Sequence, residues 1–203
     1  MKITLSNTGK RFNREWIFRG FSYEFISPKK YAITGSNGSG KSTLLQVIAG
    51  ALTHSEGNVQ FSNGTVKSGE EHYFKYIAIA APYLELIEEM TANEFLSFHH
   101  QFKPLNMDAA KALETVNLSS AASKQIRYYS SGMKQRLKLA QAFFSASPVL
   151  LLDEPTTNLD REGIELYLNL VNNYTAEKLV IISSNVAEEY QFCDEVISVK
   201  DYK

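Results

Sequence analysis

Many short apolar segments occur along the chain, and their spacing alternates between the periods typical of strands and of helices. Phe21, Tyr23 and Phe25 occupy every second position, which is the period of a strand with one buried face. Other apolar runs, such as 149–152, are short and continuous, which favours strands buried on both faces. The predicted strands are 3–5, 21–26, 31–34, 58–61, 65–67, 76–80, 149–152, 179–183 and 195–199.

Helical patterns occupy several intervals between these strands. Thr91 and Glu94 have the spacing of a capping box before an apolar run. Ser130 or Ser131 is expected to cap another helix. The apolar positions of that helix fall on one face: Met133, Leu137, Ala140 and Phe144. Further helices are predicted over 41–49 and 163–172, and the interval 91–146 is predicted to be mainly helical.

Strands that alternate with helices predict an α/β fold with a mostly parallel sheet flanked by helices. A hairpin turning at Ser62-Asn63-Gly64 adds a small antiparallel β region. The helical interval between two groups of strands predicts an inserted helical subdomain. We therefore expect 1–203 to form a single domain, with a core of 1–82 and 147–203 and a helical subdomain at about 83–146.

A complete phosphate-binding sequence joins the strand at 31–34 to the helix at 41–49. It matches G-x-x-x-x-G-K-[ST] and consists of Gly35, Ser36, Asn37, Gly38, Ser39, Gly40, Lys41 and Ser42. Its glycines allow backbone N–H groups to point at an anion, and the following helix adds the positive end of its dipole. Lys41 is expected to contact the β- and γ-phosphates, and Ser42 to bind Mg²⁺. The alternative is a simple glycine-rich turn, which the flanking strand and helix disfavour.

Two adjacent carboxylates follow a buried strand later in the chain. Asp153 and Glu154 come directly after the apolar run 149–152. The carboxyl edge of a parallel sheet is where such folds bind ligands, so Asp153 is expected beside the phosphate-binding sequence. There Asp153 can hold Mg²⁺, and Glu154 can orient or deprotonate an attacking water. By itself, such a pair is commonly only the end of a strand.

A second candidate phosphate site opens the helix that follows Tyr129. Ser130, Ser131 and Gly132 precede or begin this helix, whose amino terminus favours anions. In isolation, the simpler interpretation is that a serine caps the helix. Two phosphate sites in one chain, however, suggest that two chains share nucleotides across a two-fold axis.

Taken together, these motifs resemble the nucleotide-binding subunit of ATP-binding cassette (ABC) transporters over essentially the whole chain. The resemblance places the fold in the P-loop NTPase class. In family order, the motifs are Phe12 as the adenine-stacking aromatic, Gly35–Thr43 as Walker A, Tyr129–Met133 as the signature, Leu150–Glu154 as Walker B, and 157–160, ending at Asp160, as the D-loop. Phe12 could instead be a hairpin aromatic near Trp16 and Phe18.

The resemblance implies an ATPase that uses ATP and Mg²⁺ and works as a head-to-tail homodimer. Ser130 and Gly132 of one subunit would cap the γ-phosphate held by the other. It also implies a separate integral membrane transporter subunit, docked through a groove near 83–89. The chain would then be cytoplasmic and peripheral on the inner face of the cell membrane.

Two residues depart from the family pattern. The family's glutamine is absent from 80–84, where Pro82 or Tyr83 takes its place. The family's switch histidine is replaced by Asn185, and an amide can donate a hydrogen bond but cannot become cationic. These departures bear on the rate and coupling of hydrolysis and not on nucleotide binding, and they leave the rate itself open. The expected catalytic residues are Lys41, Glu154 and Asn185.

Composition excludes some functions and leaves others open. The net charge of −1 gives no reason to expect a nucleic-acid partner. No apolar run approaches the roughly 20 residues that span a bilayer, so no direct membrane insertion is expected. His99 and His100 are neighbours on a helix and make a poor metal pair, and Glu188 and Glu189 are interpreted as solvated charges. Two alternatives to a transporter subunit remain: a soluble ABC-type ATPase for assembly or remodelling, and a weakly hydrolysing regulatory module.

Overall fold

The computed structural model describes residues 1–63, 66–67 and 73–202, and it divides the chain into two units. Unit 1 comprises Met1–Ile79, Pro148–Glu154 and Glu177–Lys203, and unit 2 comprises Ala80–Ser147 and Pro155–Ala176. The strands are β1 (Lys2–Phe12), β2 (Glu15–Ile26), β3 (Lys30–Thr34), β4 (Glu56–Asn63), β5 (Val66–Lys67), β6 (Ile77–Ala80), β7 (Val149–Asp153), β8 (Leu179–Ser183) and β9 (Glu195–Ser198). The α-helices are α1 (Lys41–Ile48), α2 (Ala92–Phe102), α3 (Ala109–Thr115), α4 (Ser131–Phe144) and α5 (Arg161–Tyr174).

A five-stranded sheet in the order β6-β7-β8-β3-β9 carries the nucleotide-related motifs of unit 1. The pairs β7–β8, β8–β3 and β3–β9 are parallel. Every residue of β7 and β8 is buried, as their continuous Val, Leu and Ile runs predicted. The register aligns Ile33, Ser183 and Asp153 across three neighbouring strands. The ends of β3, β7 and β8 therefore lie side by side at one edge of the sheet.

The second sheet of unit 1 is antiparallel and has the order β2-β1-β4-β5. These two sheets confirm the predicted α/β class with a small antiparallel region. Strands β1 and β2 are much longer than the predicted 3–5 and 21–26. Register shifts after Leu5 break the alternation of side chains, and exposed polar residues fill the outer half of the hairpin, so the period-two signal is lost there. At the predicted hairpin turn, Gly64 and Thr65 lie outside the described residues.

Unit 2 is mainly helical, and its α2 helix begins with the predicted capping box. Thr91 Oγ1 accepts a hydrogen bond from the Glu94 N–H at 3.3 Å, and Glu94 Oε2 accepts one from the Thr91 N–H at 2.8 Å. Between α3 and α4 the chain forms short 3-10 turns at Ser119–Ala121 and Ile126–Tyr128. Within the described ranges, no helix has the length and apolar character needed to cross a bilayer.

Helix α5 groups with the helical unit, whereas the sequence analysis placed it with the core. Its Tyr167 and Tyr174 rings pack edge-on against Phe143 and Phe144 of α4, with centroids 6.4 and 5.0 Å apart. Aromatic contacts of this kind bury large apolar area. A boundary drawn from sequence order misses this contact, because α5 follows Glu154 in the chain but packs on a helix that precedes it.

The side chains of His99 and His100 have separate partners. The His99 ring lies between α2 and α4, with Nε2 3.0 Å from Ser145 Oγ and Nδ1 3.0 Å from Gln141 Nε2. His100 Nδ1 instead accepts a hydrogen bond from the Leu105 N–H at 3.0 Å. Burial lowers the pKa of His99 to about 4, and Lys103 and His100 add to this shift. The folded state therefore favours the neutral imidazole.

We expect this imidazole to make folding stability depend on pH. Between pH 4 and 6.5 the unfolded chain binds a proton at His99 that the folded chain does not, so stability is complete above about pH 6.5 and is lost as the pH falls. After allowance for partial solvent screening, the free energy of unfolding should fall by about 1 kcal/mol between pH 7 and 5. Denaturant unfolding of wild type and His99→Gln measures this. An identical pH dependence in the two proteins would contradict it.

Candidate nucleotide-binding site

The glycine-rich loop between β3 and α1 has a backbone that other residues could not adopt without strain. Gly40 has φ of 100°, and a Cβ there would lie 2.5 Å from the Ile17 Cγ2 atom. At Gly35, a Cβ would lie 2.5 Å from Ser39 Oγ. The sequence therefore needs glycine at both ends of the loop, whose central residues 36–38 are exposed.

Helix α1 begins at Lys41 and has no side-chain N-cap, so its first N–H groups remain available to an anion. The Lys41 side chain is only 4% exposed, and its ammonium donates to the carbonyl oxygens of Gly35, at 3.0 Å, and Ser36, at 3.3 Å. Among the residues that the structure describes, no carboxylate forms an ion pair with Lys41. Its hydrogen bonds at the loop therefore go to neutral carbonyl groups, while its charge also acts on the buried Asp153 carboxylate.

Asp153 closes β7 and is 2% exposed. Burial raises the pKa of its carboxyl, whereas the nearby hydroxyls of Ser42 and Ser183 and the charge of Lys41 oppose this rise. In the described part of the chain, three buried side-chain oxygens have no hydrogen-bond partner: Asp153 Oδ1, Ser39 Oγ and Ser183 Oγ. Unsatisfied buried oxygens are rare and commonly mark an ion or ligand site. A carboxylate oxygen beside the Ser42 hydroxyl is a donor set that suits Mg²⁺.

Glu154 follows with a left-handed backbone, φ 43°, which costs a residue other than glycine about 1–3 kcal/mol. Its N–H donates to the Ser183 carbonyl oxygen at 2.9 Å, so the end of β8 holds this conformation. Strain of this kind clusters at functional sites, where the surrounding structure fixes an otherwise unfavourable geometry. The side chain is partly exposed, so solvent can reach its carboxylate.

Asn185 lies in the loop after β8 and contacts the glycine-rich loop. Its Nδ2 donates to Asn37 Oδ1 at 2.9 Å. The preceding Ser184 is fully buried, and its hydroxyl hydrogen-bonds the carboxylate of Glu189. Glu189 is 2% exposed, so its interpretation as a solvated charge was wrong. The error arose because the Ser184 hydroxyl compensates for burial of the carboxylate, and no local motif signals that pairing.

Phe12 ends β1 opposite Glu15 and is 48% exposed. Lys10 Nζ lies 4.9 Å from the centre of its ring and donates to the Thr53 carbonyl oxygen at 2.9 Å. Among the described residues, the Phe12 ring makes no aromatic contact with Trp16 or Phe18. This exposure leaves part of the ring surface available for stacking on a base.

The signature residues of unit 2 line a cavity of about 310 Å³ at the start of α4. Ser130, rather than Ser131, is the N-cap, and its Oγ accepts from the Met133 N–H at 3.2 Å. That bond leaves the Ser130 hydroxyl proton free to donate to a ligand. The cavity is lined by Ser130, Ser131, Gly132, Met133, Arg136, Asn158, Leu159 and Asp160.

Asp160 has a structural role that the sequence analysis did not assign. Its side chain caps α5 by accepting from the Gly163 N–H at 2.8 Å, and Arg136 lies 3.3 Å from the same oxygen. The Gly163 N–H lowers the pKa of Asp160, and Arg136 adds to this effect. The carboxylate is therefore held ionised at the edge of the cavity.

The segment that lacks the expected glutamine is attached to α4 by a lysine. Lys138 Nζ donates to the carbonyl oxygens of Pro82, at 2.9 Å, and Ala81, at 3.3 Å. One turn earlier on α4, Lys134 forms an ion pair with Glu88. Together they border a groove of about 370 Å³ lined by Pro82, Leu84, Glu85, Leu86, Glu88, Lys134 and Lys138.

Solved structures with a similar fold include a putative ABC transporter ATP-binding protein from Pyrococcus furiosus, with a TM-score of 0.85 at 18% identity over 100% of both chains. They also include the dimeric cassette MJ0796, described as a bacterial ABC transporter cassette, with a TM-score of 0.80 at 22% identity over 97% of this chain and 93% of that one. At these identities the likeness shows the fold, which is that of ABC ATPases.

Sequence relatives are more specific. The chain is 32% identical to the uncharacterized ABC transporter ATP-binding protein YxlF of Bacillus subtilis, over 98% of this chain and 68% of that protein. It spans only 65% of the linearmycin resistance ATP-binding protein LnrL of the same organism, at 28% identity. Against the cytochrome c biogenesis ATP-binding export protein CcmA of Rhodopseudomonas palustris, identity is 32% over 83% of each chain. The ABC transporter family model matches residues 18–157. The chain therefore belongs to the ABC transporter family, as a nucleotide-binding subunit.

Proposed function

We propose that this chain binds ATP with Mg²⁺, hydrolyses it, and drives transport by a separate membrane subunit. The observation that carries this proposal is a group of three buried oxygens without a hydrogen-bond partner among the described residues of unit 1: Ser39 Oγ, Asp153 Oδ1 and Ser183 Oγ. A turn and two strand ends with no ligand to bind would have no reason to leave these oxygens unsatisfied.

Binding of the phosphates is assigned to the loop and the start of α1. The exposed backbone of 36–38 and the uncapped N–H groups of α1 supply hydrogen-bond donors. Lys41 supplies the positive charge that contacts the β- and γ-phosphates. Thr43, in the first turn of α1, is assigned to the same nucleotide site. Ser42 and Asp153 would hold Mg²⁺, which neutralises phosphate charge when bound. We assign Phe12 to stacking on the adenine. Lys10 Nζ lies over the Phe12 ring and so limits the directions from which a base can approach it.

Hydrolysis is assigned to Glu154 and Asn185. The Glu154 carboxylate orients a water and accepts its proton as the oxygen attacks the γ-phosphorus. Asn185 Nδ2 is already directed at the loop through Asn37, and it can exchange that acceptor for a γ-phosphate oxygen. Because it stays neutral, the amide stabilises developing charge less than an imidazolium would.

Dimerisation is assigned to the signature cavity. Its serine hydroxyls, the Gly132 backbone and the start of α4 form a site for phosphate that is separate from the glycine-rich loop. We assign this cavity to the γ-phosphate held by a second copy of the chain, in a head-to-tail homodimer with Asp160 at its edge. The description of MJ0796 as a dimeric cassette supports this arrangement.

The groove bordered by Lys134 and Lys138 is assigned to the membrane subunit, on the cytoplasmic face of the membrane. Exposed Tyr83 and Ile87 provide apolar surface near it, and charges of both signs line it. A mixed groove of this kind suits a helix with apolar and polar faces. The description of CcmA as an export protein supports this partner.

The test combines turnover with co-purification. The purified chain should hydrolyse ATP only when Mg²⁺ is present, and the chain isolated from cells should bring a hydrophobic membrane subunit with it. An active chain that brings no membrane subunit with it from cells would instead support a soluble ATPase for assembly or remodelling. Tight ATP binding with no turnover, alone or with the membrane subunit, would support a regulatory module.

A change at Asn185 tests its assignment. Asn185→His should raise ATP turnover with nearly unchanged ATP affinity, because the gain appears only as charge develops in the transition state. Asn185→Ala should lower turnover by on the order of tenfold, since one electrostatic contact of this kind is lost. Steady-state kinetics with calorimetry of ATP binding measure both. A folded Asn185→His protein that binds ATP normally and is no faster than wild type would reject the assignment.

A further inference from the structure

The start of α4 is joined to the segment that follows Glu154 by a buried hydrogen bond. Gln135 is 3% exposed, and its Nε2 donates to the Pro155 carbonyl oxygen at 2.7 Å. Both residues belong to unit 2. A buried side-chain amide with a short bond to the backbone fixes the position of that peptide, because losing the bond leaves a buried acceptor unsatisfied.

Two further contacts join the same pair of segments. At Gly132, a Cβ would lie 3.1 Å from the Asn158 carbonyl oxygen, so the backbones approach closely there. Arg136 reaches Asp160 at 3.3 Å. These contacts come from the first turns of α4, the part that lines the signature cavity. The first turns of α4 are thus held against 155–160 at three points.

The hydrogen bond from Gln135 is important because Pro155 directly follows Glu154 in the chain. Glu154 has its left-handed backbone conformation, and the direction of its side chain depends on keeping it. The Ser183 carbonyl holds the N–H side of Glu154, and Gln135 holds the carbonyl of the next residue. A loss of restraint on either side would let the carboxylate drift from its reacting geometry, and misplacement by about 1 Å can cost up to about a hundredfold in rate.

We infer that Gln135 is a positioning residue for Glu154. This inference rests on the proposed function, in which Glu154 serves the nucleotide bound by its own chain. The Gln135 bond restrains the Pro155 peptide, and so restrains the backbone on the carbonyl side of Glu154.

The test replaces Gln135 with methionine, which has a similar shape but no donor. Gln135→Met should lower kcat by about tenfold and leave the KM for ATP unchanged. Gln141→Met is the matched control. It lies on the same helix and loses one amide contact, to His99 Nδ1 at 3.0 Å, without a connection to Glu154.

Thermal unfolding and the ATP-binding fraction of each preparation correct for any loss of folded protein. The inference is overturned if the two methionine variants lose kcat equally after this correction, or if Gln135→Met raises KM in proportion to its loss of activity. An active wild type with equal variants would overturn this inference alone. A wild type that binds ATP without ever turning it over would overturn the proposed function as well.

Discussion

Glu154→Gln is expected to keep ATP binding and to lower turnover by on the order of a thousandfold. The amide can still accept a hydrogen bond from water, but it cannot take a proton at pH 7, and general-base catalysis commonly contributes factors of this size. Asp153 is unchanged, so binding of Mg²⁺ with ATP should persist. Because the bound ATP is no longer consumed, the variant should accumulate as a dimer with two nucleotides, visible by sedimentation with ATP and Mg²⁺.

Glu165→Gln provides the control for loss of one negative charge. Glu165 is an exposed residue of α5, and its ion-pair partner among the described residues is Arg161 on the same helix, at 3.5 Å. It should change neither turnover nor sedimentation. Glu154 is not the base if Glu154→Gln keeps wild-type turnover. A variant that saturates with ATP yet stays monomeric at high concentration would count against the shared-site dimer.

Lys41→Ala is expected to weaken ATP affinity by about a hundredfold. The change removes a buried positive charge whose hydrogen bonds, among the described residues, go to neutral backbone carbonyls, so the phosphates should be its main electrostatic partner in the complex. A charge-assisted hydrogen bond contributes about 1.5–3 kcal/mol, and each 1.4 kcal/mol is a tenfold change in affinity. Titration calorimetry with a slowly hydrolysed ATP analogue and Mg²⁺ measures this directly.

Lys138→Ala is the matched control, because Lys138 also donates to two backbone carbonyls, those of Ala81 and Pro82, but lies outside the loop. It should leave ATP affinity unchanged. If the folded Lys41→Ala protein binds ATP as tightly as wild type, the loop is not the phosphate site.

Features that depend on short stretches of chain were predictable from the sequence. The run 149–152 and the carboxylates after it predicted a buried strand with Asp153 at its end, because continuous apolar residues have few other stable arrangements in a soluble domain. The capping box at Thr91 and Glu94 was predictable for the same reason, since both hydrogen bonds lie within one helical turn. The glycine-rich loop also indicated the strand before it and the helix after it.

Features that depend on contacts between distant segments were not predictable. The bond from Gln135 to Pro155, the burial of Glu189 against Ser184, and the pairing of Asn185 with Asn37 join residues with no shared motif. The long β1–β2 hairpin was only partly predicted, since its outer half is polar and is held by backbone pairing that leaves no hydrophobic pattern. A single sequence contains no local pattern that identifies which distant residues are in contact.

In the proposed mechanism, the backbone at Glu154 brings catalysis into conflict with thermodynamic stability. Glycine adopts a φ of 43° without the steric penalty that glutamate carries, so Glu154→Gly removes strain at the same step that removes the base. A selection scheme that scores only resistance to heat would therefore enrich inactive proteins at this position. Engineering a more robust version of this subunit requires turnover as a second criterion, because tolerance of heat and ATP hydrolysis favour different residues at 154.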